Sequence, residues 1–146
     1  MLSGVDSGDI VNLPTSAPLI LNVAKLAVVN VCTSASAAVP SAISIEFDDM
    51  DAFDILFTSK YLSSLGIACF CADYRVRSIH NVSPDQCVMD AKSAIRYIRE
   101  NATSLFIDPN RIIASGGSAG GHIAASTATL PLFDDHEDNL KISAVP

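Results

Sequence analysis

The stretch Gly116-Gly117-Ser118-Ala119-Gly120-Gly121 narrows what this chain can fold into more than any other. An apolar run, RIIAS at residues 111–115, leads into it. A run of small residues, AGGHIAASTATL at 119–130, leads out. Glycine tolerates backbone angles and close approaches that other residues do not. Four glycines around one serine therefore predict a sharp turn from a strand into a helix. The turn is tight enough to strain the serine backbone and to lift its oxygen above the carboxyl end of a sheet. The strand is expected to end near Ser115 and the helix to start near Ala119.

The rest of the chain supplies the sheet and its cover. KLAVVNV (25–31) is rich in β-branched residues and reads as a buried strand, and APLILNV just before it supplies material for a second. ISIEF is a short strand candidate. DAFDILFTSKYLSSLG (51–66) has helical spacing, with Gly66 placed to end it. IACFCADY is a continuous apolar run, as a parallel strand covered on both faces should be. Ser83-Pro84-Asp85-Gln86 has the form of a capping box, and Val88, Ala91, Ile95 and Ile98 follow at helical spacing. Arg96 and Glu100 are spaced to pair along that helix. IDPN is a turn. Residues 1–16 read as an irregular lead-in, and CTSASAAVPSA carries no assignable pattern. Strands alternating with helices predict an α/β domain, a largely parallel sheet flanked by helices.

Residues 116–120 fit the pattern G-x-S-x-G in a strand-to-helix setting, which is where a nucleophilic serine is presented. The backbone amide of Ala119, at the helix start, would face a developing oxyanion. A phosphate-binding loop fails on detail. No Lys-Ser/Thr follows the glycines, and the spacing is not G-x-G-x-x-G. A merely structural glycine turn is the bland alternative.

Composition excludes several classes. The chain has 146 residues, 49% of them hydrophobic, enough for a core in one domain. Its net charge of −7 comes without a basic stripe, which argues against nucleic acid and anionic membrane as partners. Asn22, Lys25 and Asn30 interrupt the apolar stretch near the N-terminus, so no membrane span is expected. No Lys or Arg stands near Met1 to open a signal peptide. Cys69 and Cys71 share one strand face and read as small core residues, while Cys32 and Cys87 are isolated. No metal pattern results, and a reducing, cytoplasmic setting fits best. The sequons at Asn81 and Asn101 are then incidental.

ADYRV, SPDQCVMDAKSAIRYIRENA and IDPNRIIASGGSAGGHIAA stand in an order that closely resembles the α/β-hydrolase superfamily, and most of all its acetyl-esterase, hormone-sensitive-lipase-like branch. The likeness runs from about Phe57 to Ile142, and residues 1–50 match poorly. The resemblance implies a serine carboxylic-ester hydrolase, esterase- or lipase-like, acting on a small-molecule ester with no metal or organic cofactor. It implies Ser118 as nucleophile, the Ala119 amide as oxyanion donor, and Gly116, Gly117, Gly120 and Gly121 as the glycines of the turn. Asp73, Tyr74, Arg75 and Asp90 would be structural. It further implies residues 1–146 as a single, incomplete α/β-hydrolase domain, a front-half fragment.

The partners of that serine are the difficulty. In this fold the order is Ser, then Asp or Glu, then His. After Ser118 the candidates crowd into LFDDHEDNL, with Asp134, Asp135, His136, Glu137 and Asp138. That segment follows the helix that runs away from the turn, so His136 is expected to be a surface residue. His122 is expected to pack or cap locally, and His80 to sit in a loop. The family's H-G-G-G would be expected after AVVNV, where the chain reads Cys32-Thr33-Ser34-Ala35. A non-catalytic α/β remnant, capable of self-association through an exposed sheet edge, is the alternative reading.

Overall fold

In the computed structural model of the chain, the described residues are 19–23, 26–32, 42–47, 59 and 61–146. The expected lead-in at 1–16 and most of the unassigned stretch after Cys32 lie outside them. So does most of the helix expected at 51–66, of which Ser59 and residues 61–64 are helical. Gly66 closes that helix at φ 81°, a left-handed angle that favours glycine.

Five strands form one sheet: β1 (Leu19–Val23), β2 (Leu26–Cys32), β3 (Ala42–Phe47), β4 (Ile67–Ala72) and β5 (Ile112–Gly116). Their spatial order is β1-β2-β4-β3-β5. β3 lies parallel to both β4 and β5, and β2 runs antiparallel to β1 and β4. Four strands thus share one direction and β2 alone opposes them, so the sheet is largely parallel. APLILNVAKLAVVNV divides into two strands joined as a hairpin.

Besides the helical residues at 59 and 61–64, three helices stand among the described residues: α1 (Arg77–His80), α2 (Pro84–Glu100) and α3 (Ala119–Thr129). α2 begins as its capping residues predict. Pro84 opens it, and the Ser83 amide donates to Gln86 Oε1 at 3.1 Å. Its apolar face buries Ala91, Ala94, Ile95 and Ile98 against Ala68, Phe70 and Ala72 of β4. Ile112 of β5 and Ile123 and Ala124 of α3 complete this core. Burying a side chain such as Phe70 or Ile95 contributes about 1.5–3 kcal/mol.

The loop after β4 is tied to α2. Arg75 Nη2 donates to Asp90 Oδ1 at 2.6 Å, and its Nε reaches Oδ1 and Oδ2 at 3.0 and 2.9 Å. The Arg75 amide adds a bond to Asp90 Oδ2 at 3.0 Å. The hydrogen bonds to Asp90 raise the Arg75 guanidinium above its usual value, against the opposing effect of burial.

Two details differ from the sequence reading. Arg96 does not reach along α2 to Glu100. It is buried and turns to the C-terminal segment, donating to Asp134 Oδ1 at 2.5 Å, Asp138 Oδ2 at 3.1 Å and the Ile142 carbonyl at 3.0 Å. A buried guanidinium needs fixed acceptors, and Glu100 is exposed. Second, Cys32 is not isolated: the β2–β4 register sets it opposite Cys69. Cys69 is buried, and Cys71 and Cys87 are half-buried.

Candidate active site

β5 ends at Gly116 and α3 begins at Ala119, leaving Gly117 and Ser118 to make the turn. Ser118 sits at φ 48° and ψ −114°. An L-residue with a side chain reaches this region only when its surroundings impose it, at a cost of about 1–3 kcal/mol. The surroundings are visible in the hydrogen bonds. The amides of Gly120 and Gly121 both donate to the Gly117 carbonyl, at 2.8 and 3.4 Å, and the His122 amide donates to the Ser118 carbonyl at 3.3 Å. The helix is thereby wound directly onto the turn.

The glycines do different work. A Cβ on Gly121 would stand 3.0 Å from the Gly116 carbonyl oxygen, so a bare backbone is needed for α3 to approach β5. A Cβ on Gly117 would meet nothing within 4 Å. Gly120 is buried.

Ser118 is exposed at the carboxyl end of β5, and its side chain makes no hydrogen bond among the described residues. The Ala119 amide, first in α3, likewise has no acceptor among them. An open hydroxyl therefore stands beside an unsatisfied N–H at a helix N-terminus, where negative charge is favoured.

None of the three histidines bonds to that hydroxyl. His122 lies in the first turn of α3 with an exposed side chain. His136 lies beyond the far end of α3, its ring 87% exposed, with Nδ1 3.5 Å from Asp135 Oδ1. A helix the length of α3 spans about 16 Å. His80 is not in a loop as the sequence suggested. It ends the single turn α1, and its Nδ1 accepts the Val76 amide at 2.9 Å. A ring nitrogen that accepts this bond caps its own turn.

Cys32 does not stand where the sequence reading set it, and residues 33–35 lie outside the described residues. β2 runs against β4, so Cys32 is level with Cys69, toward the amino end of β4. The strand that finishes beside the serine turn is β3, where Phe47 pairs with both Ala72 and Gly116. The sequence that continues from it is Asp48-Asp49-Met50, which also lacks glycine. An apolar run shows no direction, which is why the sequence could not separate these two strands.

The acids near His136 serve packing. Lys92 is buried, and its Nζ donates to the carbonyls of Leu130 and Leu132 at 2.7 and 2.6 Å and lies 3.3 Å from Asp134. Ser93 donates to Asp138 at 2.7 Å. Arg99 donates to the carbonyls of Pro109, Ser143 and Val145. One face of α2 thus fastens residues 130–145. Burial pushes the Asp134 carboxyl up, but the Arg96 hydrogen bond and the charges of Arg96 and Lys92 outweigh it, and the net shift is down. The sequence reading missed this fastening, because cations at helical spacing read equally well as a solvated face.

A mainly parallel sheet with one reversed strand, helices against it, and a serine at positive φ between a strand and a helix define an α/β-hydrolase fold. Residues 47–144 match the BD-FAE family model, and the chain belongs to that family. A thermophilic esterase from the Planctomycetes species Thermogutta terrifontis, Est2, superposes with a TM-score of 0.74 at 38% identity, covering 81% of this chain and 45% of that one. Thermogutta terrifontis esterase 2 phosphorylated by paraoxon superposes with a TM-score of 0.78 at 33% identity, covering 90% and 55%. Among curated proteins, the probable carboxylic ester hydrolase LipM of Mycobacterium tuberculosis is 35% identical over 72 residues, which are 49% of this chain and 16% of LipM. The chain therefore spans about half the length of the solved esterases it resembles.

Proposed function

We propose that this chain carries the nucleophile-bearing part of a serine carboxylic-ester hydrolase, as part of one α/β-hydrolase domain. The observation that carries the reading is Ser118 at φ 48° between β5 and α3. In the proposed reaction Ser118 Oγ attacks an ester carbonyl and its proton passes to a general base. The Ala119 amide donates to the oxyanion. The alcohol leaves with that proton, and water then releases the acid from the acyl-enzyme. The base and its orienting acid belong to sequence beyond these 146 residues, since no His ring reaches Ser118 within the described ones. The substrate is a small-molecule ester, in keeping with the carboxylic ester hydrolases among its relatives. We also assign the chain to the cytoplasm. The four cysteines follow no metal-ligand spacing, and no helix among the described residues is long and apolar enough to cross a membrane.

The test is a chimera in which this chain replaces the stretch of Thermogutta terrifontis esterase 2 that it matches. Hydrolysis of a chromogenic acetate ester should fall at least about 10²-fold on Ser118→Ala, about 2.7 kcal/mol of barrier. A folded chimera that hydrolyses the ester equally well with and without Ser118 would remove the reading.

A second reading, a non-catalytic association module that pairs with itself through the β5 edge, draws support from Ile113, 51% exposed on the last strand of the sheet.

A further inference from the structure

α2, the last turn of α3 and residues 130–145 line a cavity of about 480 Å³, at the end of α3 away from Ser118. That is within the size of small-molecule sites, roughly 300–1,000 Å³. Its lining is of two kinds. Leu130, Pro131, Leu140, Ile142 and Val145 are apolar, and Leu140 and Val145 remain 58% and 52% exposed. Lys92, Arg96 and Asp134 are charged, and the two cations are buried.

The donors of these cations are not all spent. Lys92 directs its ammonium at the carbonyls of Leu130 and Leu132 and at Asp134, one for each N–H. A guanidinium has more donors than that. Arg96 bonds through Nε to the Ile142 carbonyl, through Nη1 to Asp138 and through Nη2 to Asp134. Each terminal nitrogen therefore keeps an N–H with no acceptor among the described residues. The side chain is more than nine-tenths buried, where an unmade bond is costly.

The charges do not balance either. Lys92, Arg96 and Arg99 share one face of α2, against the carboxylates of Asp134 and Asp138. Arg99 stands behind the part of the wall made by Ser143 and Val145, donating to both their carbonyls and to that of Pro109. Among the described residues no carboxylate pairs with it, and Glu100 is exposed and accepts from Asn139 instead. Burial pushes the Arg99 guanidinium down, with no acid to offset it. One positive charge is left in surplus. An anion would meet it, and a carboxylate can take paired N–H bonds from a guanidinium. The apolar lining requires that the anion also carry hydrocarbon.

We propose that this cavity is a binding site for a short aliphatic carboxylate, separate from the serine turn. The unspent N–H groups of Arg96 and the charge of Arg99 hold the carboxylate, and the chain covers Leu140 and Val145. The site stands on these residues and not on the proposed function, although that reaction would release an acid of this class.

The probe is octanoate, titrated into the 146-residue chain carrying Ser118→Ala and followed by the amide resonances. Those of Leu140, Ile142 and Ala144 should shift saturably, while those of Ala119 and Gly120 stay in place. Octanol keeps the chain without the charge, and inorganic phosphate keeps the charge without the chain. Each should bind at least about tenfold more weakly than octanoate. Arg99→Gln should weaken octanoate at least about tenfold, and Arg99→Lys, which returns the charge, should restore most of the loss. Leu140→Asp, at an exposed position, should weaken it as much, and it decides the matter if Arg99→Gln does not fold. Leu65→Asp, exposed just before β4, should change nothing. Absence of a saturable shift at these three amides overturns the proposal, whatever the state of the chain. Octanol binding as well as octanoate would reduce the cavity to an apolar groove, and phosphate binding as well would mean an adventitious ion only; either overturns it. Shifts centred on Ala119 would place the acid at the serine turn and overturn it too.

Discussion

Ser118 holds φ 48° and ψ −114°, angles a glycine would adopt with little strain. Ser118→Gly is therefore expected to raise Tm, by the equivalent of about 1 kcal/mol once the extra freedom of glycine in the unfolded chain is counted. Thermal unfolding followed by circular dichroism checks this, and a lower Tm would mean that the serine backbone is not strained. The neighbouring glycines should separate cleanly. At Gly121 an added methyl group meets the Gly116 carbonyl, so Gly121→Ala should lose about 1 kcal/mol even after the helix-propensity gain of alanine. Gly117→Ala meets open space and should stay within about 0.5 kcal/mol of the parent. The sequence showed that the turn had to be tight but could not rank its glycines. That ranking depends on how closely α3 approaches β5, which only the fold sets. Asp90 is the other informative residue. Arg75→Ala leaves a buried carboxylate with a backbone amide as its remaining described donor, and should cost about 2–3 kcal/mol in urea unfolding.

At the scale of elements, α2 and α3 were legible because their ends are written in local chemistry, a proline-bearing capping box and a glycine cluster. β2 was legible as a strand but not in its direction, because an apolar run packs equally well either way. Its direction shows only in the antiparallel pairing with β4, a contact between residues about forty positions apart. The fastening of residues 130–145 to α2 was illegible for a different reason. The spacing of Lys92, Arg96 and Arg99 could equally have faced water. It gives the chain an acid sensitivity with a defined sign. The Asp134 carboxyl is held below its ordinary value of 3.8 when folded, so its contribution is complete above that value. The contribution is lost as pH falls below about 3.8 and through the lower folded value. Arg96→Leu should flatten that part of a stability–pH profile measured by urea unfolding between about pH 6 and 2. A slope that persists unchanged would assign the acid sensitivity to other carboxylates.

For the molecule as a whole, the expected behaviour of the isolated chain follows from what surrounds Ser118. A serine hydroxyl attacks an ester only as its proton is taken, and no described histidine ring is in reach to take it. The 146-residue chain alone should therefore hydrolyse a chromogenic acetate ester no faster than its Ser118→Ala variant. A rate more than about tenfold above the variant would mean that the hydroxyl is activated within this chain, and His80, His122 and His136 would be the residues to mutate next. The fastening on α2 has a further consequence. Lys92, Arg96 and Arg99 grip residues 130–145 mostly by main-chain carbonyls, those of Leu130, Leu132, Ile142, Ser143 and Val145. A carbonyl is the same whatever side chain sits beside it. The segment is thus held by its path and hardly by its spelling, and substitutions at exposed Leu132 or Leu140 leave the grip intact. That makes this stretch the place where the fold can accept a rewritten or transplanted surface, by drift or by design, without renegotiating its attachment.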